Sequence, residues 1–139
     1  MEPGESKSLR VAYNFHGASA VGDAAAAARG FAQAIRLDPA GTARLAIVVE
    51  ELVANIFEHS GIDAGRPVEM VLWHLGREIS LVIEDHGSRF DPRDAAPPGD
   101  LPPERGGGAG LAIVTAWARV LSYEASGGVN RLELIIPCD

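Results

Sequence analysis

Residues 45–61 read LAIVVEELVANIFEHSG, a run in which apolar and polar side chains recur with the 3.6-residue period of an α-helix. Glu51, Asn55 and His59 follow one another at intervals of four residues, so they form one stripe along the predicted helix. A helical wheel places Asn55 roughly 90° from the centre of the apolar stripe, at the boundary between core and solvent. The residues predicted to face the core are Leu45, Val48, Val49, Leu52, Val53 and Ile56.

Length and composition indicate one globular domain covering residues 1–139, with a flexible polar start at residues 1–8. The net charge of −7, without a basic cluster, argues against binding to nucleic acid. The single cysteine, Cys138, favours a reducing compartment. The first residues have no apolar signal-like run, and no stretch reaches membrane-spanning length. We therefore predict a cytoplasmic protein that does not bind membranes.

Hydrophobic periodicity and turn residues predict the order β-α-α-β-β-loop-α-β-β. Asp38-Pro39 is a helix start, with the aspartate as N-cap and proline at the first helical position. Gly76-Arg77 and Gly127-Gly128 are hairpin turns. The predicted strands cover residues 9–15, 67–75, 78–84, 121–126 and 131–136. The predicted helices run from Ser19 or Asp23 to about residue 37, from residue 39 to Gly61, and over residues 111–120.

Strands joined by hairpins are antiparallel, and the helices have one face of the sheet to cover. The predicted fold is therefore an α+β two-layer sandwich, a mainly antiparallel five-stranded sheet covered on one face by three helices. The long loop at residues 85–110 contains five of the nine prolines and six glycines. A loop of that length within a small domain is typical of a functional lid, which we place at residues 86–109, or of disorder.

Three features of the chain suggest phosphate and nucleotide chemistry. Glu51 and Asn55 would place a general base one helical turn from an amide oxygen suited to Mg²⁺. Asp85-His86-Gly87 follows a strand, where the carboxylate can accept a hydrogen bond from an exocyclic amine and Gly87 lets a flat ring approach. Taken alone, each of these two features also has a structural interpretation. Glu51 and Asn55 could simply belong to the polar side of an amphipathic helix, and Asp85-His86-Gly87 could be a simple turn.

The third feature is a glycine run that opens the last predicted helix, Arg105-Gly106-Gly107-Gly108-Ala109-Gly110-Leu111. Free backbone N–H groups at a helix start form an anion site, and glycine lets them wrap phosphate oxygens. A flexible linker is the alternative. No P-loop lysine follows, and the run does not follow a strand as a Rossmann motif would.

The histidines and tryptophans have structural interpretations. The four histidines lack any metal-ligand spacing, which argues against zinc. Trp73 and Trp117 are predicted to pack within the protein rather than to stack on a ligand.

In order and placement, these three features resemble the boxes of the GHKL ATPase superfamily, whose members share the histidine kinase-like (Bergerat) fold. The N box resembles Glu51-Leu52-Val53-Ala54-Asn55, extended by His59. The first glycine box resembles Asp85-His86-Gly87, and the second resembles the glycine run at residues 106–110. The short length and the last strand look most like the anti-sigma-factor serine kinases of that superfamily.

The resemblance implies ATP and Mg²⁺ as cofactors and a role for each matching residue. It implies that Glu51 is the general base and that Asn55 holds Mg²⁺. It also implies that Asp85 binds the adenine amino group and that Gly87 lies under the adenine ring. It also implies an adenine-side threonine in the closing hairpin, where this chain has Asn130. The remaining residues that it assigns to the nucleotide are His59, Arg105, Gly106, Gly108, Gly110 and Leu111.

Two hypotheses for function follow from the resemblance. In the first, the protein is a serine kinase that phosphorylates a STAS-domain anti-anti-sigma protein and otherwise sequesters a sigma factor, with two copies forming a homodimer. In the second, it is a nucleotide-binding or vestigial interaction module without kinase activity. The resemblance also implies an arginine on the first helix for holding protein partners, and Arg29 is the nearest candidate.

Overall fold

The computed structural model describes residues 8–59, 66–87 and 113–138 of the chain. Its strands are β1 (Arg10–Phe15), β2 (Val68–Leu75), β3 (Glu78–Asp85), β4 (Arg119–Ser126) and β5 (Val129–Pro137). Its helices are α1 (Ala20–Ala34) and α2 (Pro39–His59), followed by a short helix at residues 113–117, here α3. None of the helices in these ranges is long and apolar enough to cross a membrane.

The five strands form one antiparallel sheet in the order β1-β2-β3-β5-β4. Alternate side chains of each strand point to the side that the helices cover. Those of Met70, Leu72, Leu81 and Ile83 are at most 1% exposed, because they pack with helix side chains in one core. The predicted α+β sandwich and the predicted inward faces of β2 and β3 are therefore confirmed. The main helix side chains in this core are Phe31, Leu45, Val48, Val49 and Val53.

Both predicted hairpins are present. Gly76 has a φ of +72° in the turn between β2 and β3, and Gly127 and Gly128 have φ values of +62° and +82° between β4 and β5. Two successive positive φ values are the requirement of a type I′ turn, which only glycine meets without a Cβ penalty.

Helix α1 ends earlier than its periodicity predicts, at Ala34 rather than near Leu37. Arg36 adopts a left-handed conformation with a φ of +60°. Its N–H donates to the carbonyl of Gln33, and the Leu37 N–H donates to the carbonyl of Ala32. These two bonds form a Schellman motif, which satisfies the last carbonyls of the helix and turns the chain toward α2.

The last predicted helix also differs from the structure. It was expected to continue to Val120, but helical residues end at 117 and β4 begins at Arg119. Arg119 and Val120 pair with Ile135 and Leu134 of β5, so backbone pairing with the sheet replaces the final helical turn. The start of this helix, the predicted lid and residues 1–7 lie outside the described ranges, and the predicted domain bounds stay a prediction.

The start of α2 has the predicted cap. The Asp38 Oδ1 atom accepts a hydrogen bond of 2.8 Å from the Gly41 N–H, and the Asp38 carbonyl accepts one of 2.8 Å from the Thr42 N–H. This is the geometry of an aspartate N-cap, with Pro39 in the first helical position.

We expect Gly41→Ala to lower the free energy of unfolding, although alanine is ordinarily the better helix former. A Cβ on Gly41 would lie 2.9 Å from both Asp38 Oδ1 and Leu37 Cγ, so the capping carboxylate would have to move. Losing a cap costs about 1 kcal/mol, which offsets or exceeds the similar gain in helix propensity. Urea unfolding of the variant measures the difference.

The matched control is Gly30→Ala in α1, where no atom lies within 4 Å of an added Cβ. This change should raise the free energy of unfolding by about 0.5–1 kcal/mol. Equal gains at the two positions would show that the close contacts at Gly41 relax without cost.

Candidate nucleotide site

The end of β3 carries a buried carboxylate held by its neighbours. Asp85 is 6% exposed and lies two residues after the buried Ile83, so both side chains point to the helix-covered side of the sheet. Its Oδ1 atom accepts hydrogen bonds from the Gly87 N–H at 2.8 Å and from Asn130 Nδ2 at 3.0 Å. Within the described ranges, no residue donates a hydrogen bond to the other carboxylate oxygen, Oδ2. The carboxylate is therefore fixed in orientation and keeps one oxygen for a ligand's donor.

Asn130 is the residue that sequence reasoning undervalued at this site. It lies on β5 directly opposite Asp85 in the strand register and is 5% exposed. Its Nδ2 atom donates both to Asp85 and, at 2.9 Å, to the carbonyl of Gly87. The side chain thus ties the strand end to the first residues of the following loop. An amide two residues after the two-glycine turn was the available signal, but only the register of β3 and β5 shows that it lies opposite Asp85.

Helix α2 carries the second part of the site. Asn55 Nδ2 donates a hydrogen bond of 2.9 Å to the carbonyl of Glu51, one helical turn earlier. Asn55 Oδ1 is buried, and no described residue donates a hydrogen bond to it. A buried acceptor without a partner costs about 1–3 kcal/mol, so this atom is suited to a ligand that can supply the missing interaction.

The structure places Asn55 deeper than the helical wheel predicts. It is 4% exposed rather than at the boundary between core and solvent. Asn55 follows Val48 and Leu52 at helical spacing, and these side chains are themselves buried, so the buried arc of α2 is wider than the predicted apolar stripe.

Glu51 is partly buried on the same helix. Burial raises the pKa of its carboxyl above the ordinary value, and repulsion from the carboxylates of Glu50 and Glu58 raises it further. A carboxylate whose pKa is moved toward neutrality is better suited to accept a proton in a reaction than an ordinary surface glutamate.

Magnesium fits the residues present on this helix. Mg²⁺ prefers hard oxygen ligands and usually takes only one or two from protein, with phosphate and water completing its shell. The unpaired Oδ1 of Asn55 is such an oxygen, and its burial would favour a bound cation that satisfies it.

The remaining predicted site residues are described only in part. His59 is the last residue of α2, and its side chain lies outside what the structure describes. Gly87 is the last described residue before the long loop, and Arg29 lies on the exposed side of α1. The predicted phosphate residues lie outside the described ranges: Arg105, Gly106, Gly108, Gly110 and Leu111.

The chain is similar to known proteins in family, sequence and fold. The model of the histidine kinase-like ATPase domain family matches residues 17–136. The serine/threonine-protein kinase BtrW of Bordetella bronchiseptica is 33% identical to this chain over 95 residues, which cover 65% of the chain. The aligned region spans 66% of that relative's own length.

Among solved structures, the crystal structure of the SiaB–SiaC complex from Pseudomonas aeruginosa contains a chain with the same architecture. The TM-score is 0.60 at 15% identity, and the match covers 91% of this chain and 88% of that one. At this identity the likeness concerns the fold alone. Since the family model extends over most of the sequence and the resemblance to GHKL ATPases is thereby confirmed, the chain belongs to the histidine kinase-like ATPase domain family.

Proposed function

We propose that the protein is an ATP-dependent serine kinase that phosphorylates a STAS-domain anti-anti-sigma protein and otherwise sequesters a sigma factor. The observation that carries the proposal is the buried Oδ1 of Asn55, to which no described residue donates a hydrogen bond, one helical turn from Glu51. A metal ligand beside a general base is what phosphoryl transfer requires of such a helix. The likeness to a relative named as a serine/threonine-protein kinase supports this choice.

The proposed nucleotide contacts divide between the two parts of the site. Asp85 Oδ2 would accept a hydrogen bond from the adenine amino group, since Oδ1 is already engaged by Gly87 and Asn130. Asn55 Oδ1 would be the protein ligand of Mg²⁺. From the family resemblance we assign the phosphates to Arg105, Gly106, Gly108, Gly110 and Leu111, and the nucleotide edge to His59. Residues 86–109 would then close over ATP as a lid.

In the proposed reaction the Glu51 carboxylate accepts the proton of a substrate serine hydroxyl while the serine oxygen attacks the γ-phosphorus of ATP. A new oxygen–phosphorus bond forms as the bond from the γ-phosphorus to the β,γ-bridging oxygen breaks. ADP leaves with the bridging oxygen. Magnesium, when bound, supplies positive charge against the phosphate oxygens. The raised pKa of Glu51 favours its part in this proton transfer.

The partners and the compartment belong to the same proposal. A sigma factor and a STAS-domain protein are the protein partners, and two copies of the chain form a homodimer. The acidic net charge of −7 favours protein partners over nucleic acid. A cytoplasmic location follows from this role in transcription and stays a prediction.

We expect Asn55→Ala to uncouple ATP binding from magnesium. In calorimetric titrations, Mg²⁺ should tighten ATP binding to the wild type by about tenfold or more, or roughly 1.4 kcal/mol, and the variant should lose this gain. The physical reason is the removal of the one described oxygen that is buried and unpaired near Glu51. In the absence of magnesium the two proteins should bind ATP about equally.

The control is Asn55→Asp, which keeps an oxygen at the same position and should retain magnesium dependence. If Asn55→Ala keeps the full magnesium effect, the proposed ligand is wrong. If the wild type binds ATP with magnesium but transfers no phosphate to any STAS-domain protein, the nucleotide-binding module without kinase activity is the better description.

A further inference from the structure

The Asn130 side chain uses both hydrogens of its amide group on acceptors within the chain itself. Its Nδ2 atom donates to Asp85 Oδ1 at 3.0 Å and to the Gly87 carbonyl at 2.9 Å. Because a carboxylate and a carbonyl only accept hydrogen bonds, the amide has to present its NH₂ group to them, and that group keeps no hydrogen for a ligand. Asn130 is therefore a positioning residue, which can act on a nucleotide through Asp85.

The sheet holds this amide in place. Asn130 pairs in register with Asp85, and it shares the helix-covered side of β5 with Leu132 and Leu134, which belong to the core. Strand β5 lies between β3 and β4, so it is bonded on both sides. A water bonded to Asp85 could be displaced by a ligand, whereas a buried amide on an inner strand cannot leave.

Both accepting directions of Asp85 Oδ1 are occupied in this arrangement. A carboxylate oxygen accepts hydrogen bonds in two directions. The Gly87 N–H donates to Oδ1 at 2.8 Å, and Asn130 Nδ2 supplies the second bond. Since no described residue donates to Oδ2, Asp85 offers a ligand one oxygen rather than the usual pair.

The two purine bases need different things from such a carboxylate. Adenine carries a 6-amino group, and one free oxygen is enough to accept a hydrogen bond from it. Guanine carries an oxygen at the same place, which the carboxylate would repel. Guanine could instead turn its N1–H and its 2-amino group toward the carboxylate. These two donors are parallel, so each needs its own carboxylate oxygen.

We propose that Asn130 is a specificity-determining residue that excludes guanine nucleotides by occupying Asp85 Oδ1. With Oδ1 engaged, the paired contact to guanine cannot form, while the single contact to adenine is unaffected. The threonine that the family resemblance implies at this place has one hydroxyl hydrogen, so it could not donate to Asp85 and Gly87 together. This role of Asn130 rests on the proposed contact between Asp85 and adenine.

Calorimetric titration of the full chain with ATP, GTP and inosine triphosphate, each with Mg²⁺, tests the role of Asn130. The wild type should bind ATP about 100-fold or more tightly than GTP. Asn130→Ala should lower this preference by at least about tenfold, because guanine gains a second hydrogen bond to a charged group. Inosine triphosphate has the 6-oxygen and N1–H of GTP but lacks the 2-amino group, so its affinity should not rise with that of GTP.

Two further variants separate this role from a structural one. Asn130→Leu has the branched shape of asparagine without its donor, so it leaves less of a cavity than alanine and should lower the preference in the same way. Asn14→Ala is the matched control, since it makes the same chemical change at an exposed position of β1 and should leave the preference unchanged. A purely structural role of Asn130 would weaken the binding of all three nucleotides by the same factor.

Failure of this role and failure of the proposed function give different results. If the wild type binds ATP and both Asn130 variants keep its full preference over GTP, Asn130 does not select the base. Equal gains for GTP and inosine triphosphate would also overturn the proposal, because the paired contact would not be their cause. A wild type that binds none of the three nucleotides would overturn the proposed function itself, and the role of Asn130 with it.

Discussion

Asp85→Asn is expected to weaken ATP binding by about 100-fold or more, or roughly 3 kcal/mol. The change keeps the size of the side chain and removes one charged acceptor. A hydrogen bond to a charged group contributes about 1.5–3 kcal/mol, and a mismatched buried donor adds a further cost. Calorimetric titration with ATP measures the loss.

The surrounding hydrogen bonds make this substitution more damaging than a simple change of charge. The Gly87 N–H and Asn130 Nδ2 both donate to one carboxylate oxygen, so they would fix the amide oxygen of the new asparagine in that place. The amide NH₂ would then occupy the position of Oδ2. The amide NH₂ and the adenine amino group are both hydrogen-bond donors, so no hydrogen bond could form between them.

Two controls separate this effect from loss of folding or of charge. Glu84→Gln removes a carboxylate from the neighbouring residue, whose side chain lies on the face of the sheet opposite the helices, and should leave ATP affinity unchanged. Asn130→Ala removes one of the two donors that hold Asp85 and should cause an intermediate loss. Unchanged ATP affinity in Asp85→Asn, with the fold intact, would mean that adenine binds elsewhere or not at all.

Glu51→Gln is expected to abolish phosphate transfer while ATP binding remains within about twofold of the wild type. General base catalysis contributes about 10²–10⁴-fold to a rate, and the amide cannot accept the serine proton. Transfer of phosphate from labelled ATP to the STAS-domain partner measures the rate, and calorimetry measures the binding. A variant that transfers phosphate at the wild-type rate would remove Glu51 from the proposed mechanism.

The stability of Glu51→Gln should help to interpret that result. Because the folded-state pKa of Glu51 is raised, the ionised carboxylate disfavours the native state above that pKa. This penalty disappears as the pH falls below the unfolded value, where the residue is protonated in both states. At neutral pH the glutamine variant should therefore be as stable as the wild type or more stable.

The pH dependence gives Glu51 a second signature. The acid limb of the kinase rate should lie above the ordinary glutamate pKa of 4.5, since burial and two neighbouring carboxylates raise the pKa of Glu51. Glu50→Gln is the matched variant, because Glu50 is exposed and contributes to that rise. It should keep kinase activity and shift the acid limb to lower pH.

Local patterns in the chain were sufficient to predict most of the fold. Three patterns depend only on residues close together in the sequence: the 3.6-residue period of α2, the two-residue alternation of β2 and β3, and the Asp38-Pro39 cap. They can therefore be recognised without knowing which elements pack together. The two hairpin turns follow from glycines whose backbone conformations other residues rarely adopt. Together they define the strand pairs β2–β3 and β4–β5 and hence an antiparallel sheet. The three boxes, in their order, were enough to indicate the family.

The details of the site depend on contacts between distant parts of the chain. Asp85 and Asn130 are 45 residues apart and meet only because β5 pairs with β3 in the middle of the sheet. The depth of Asn55 depends on the elements packed against α2, which a helical wheel does not contain. Periodicity marks which side chains of a strand share a face, but the neighbouring strands decide which charges stand side by side. The geometry of the buried site therefore results from tertiary pairing.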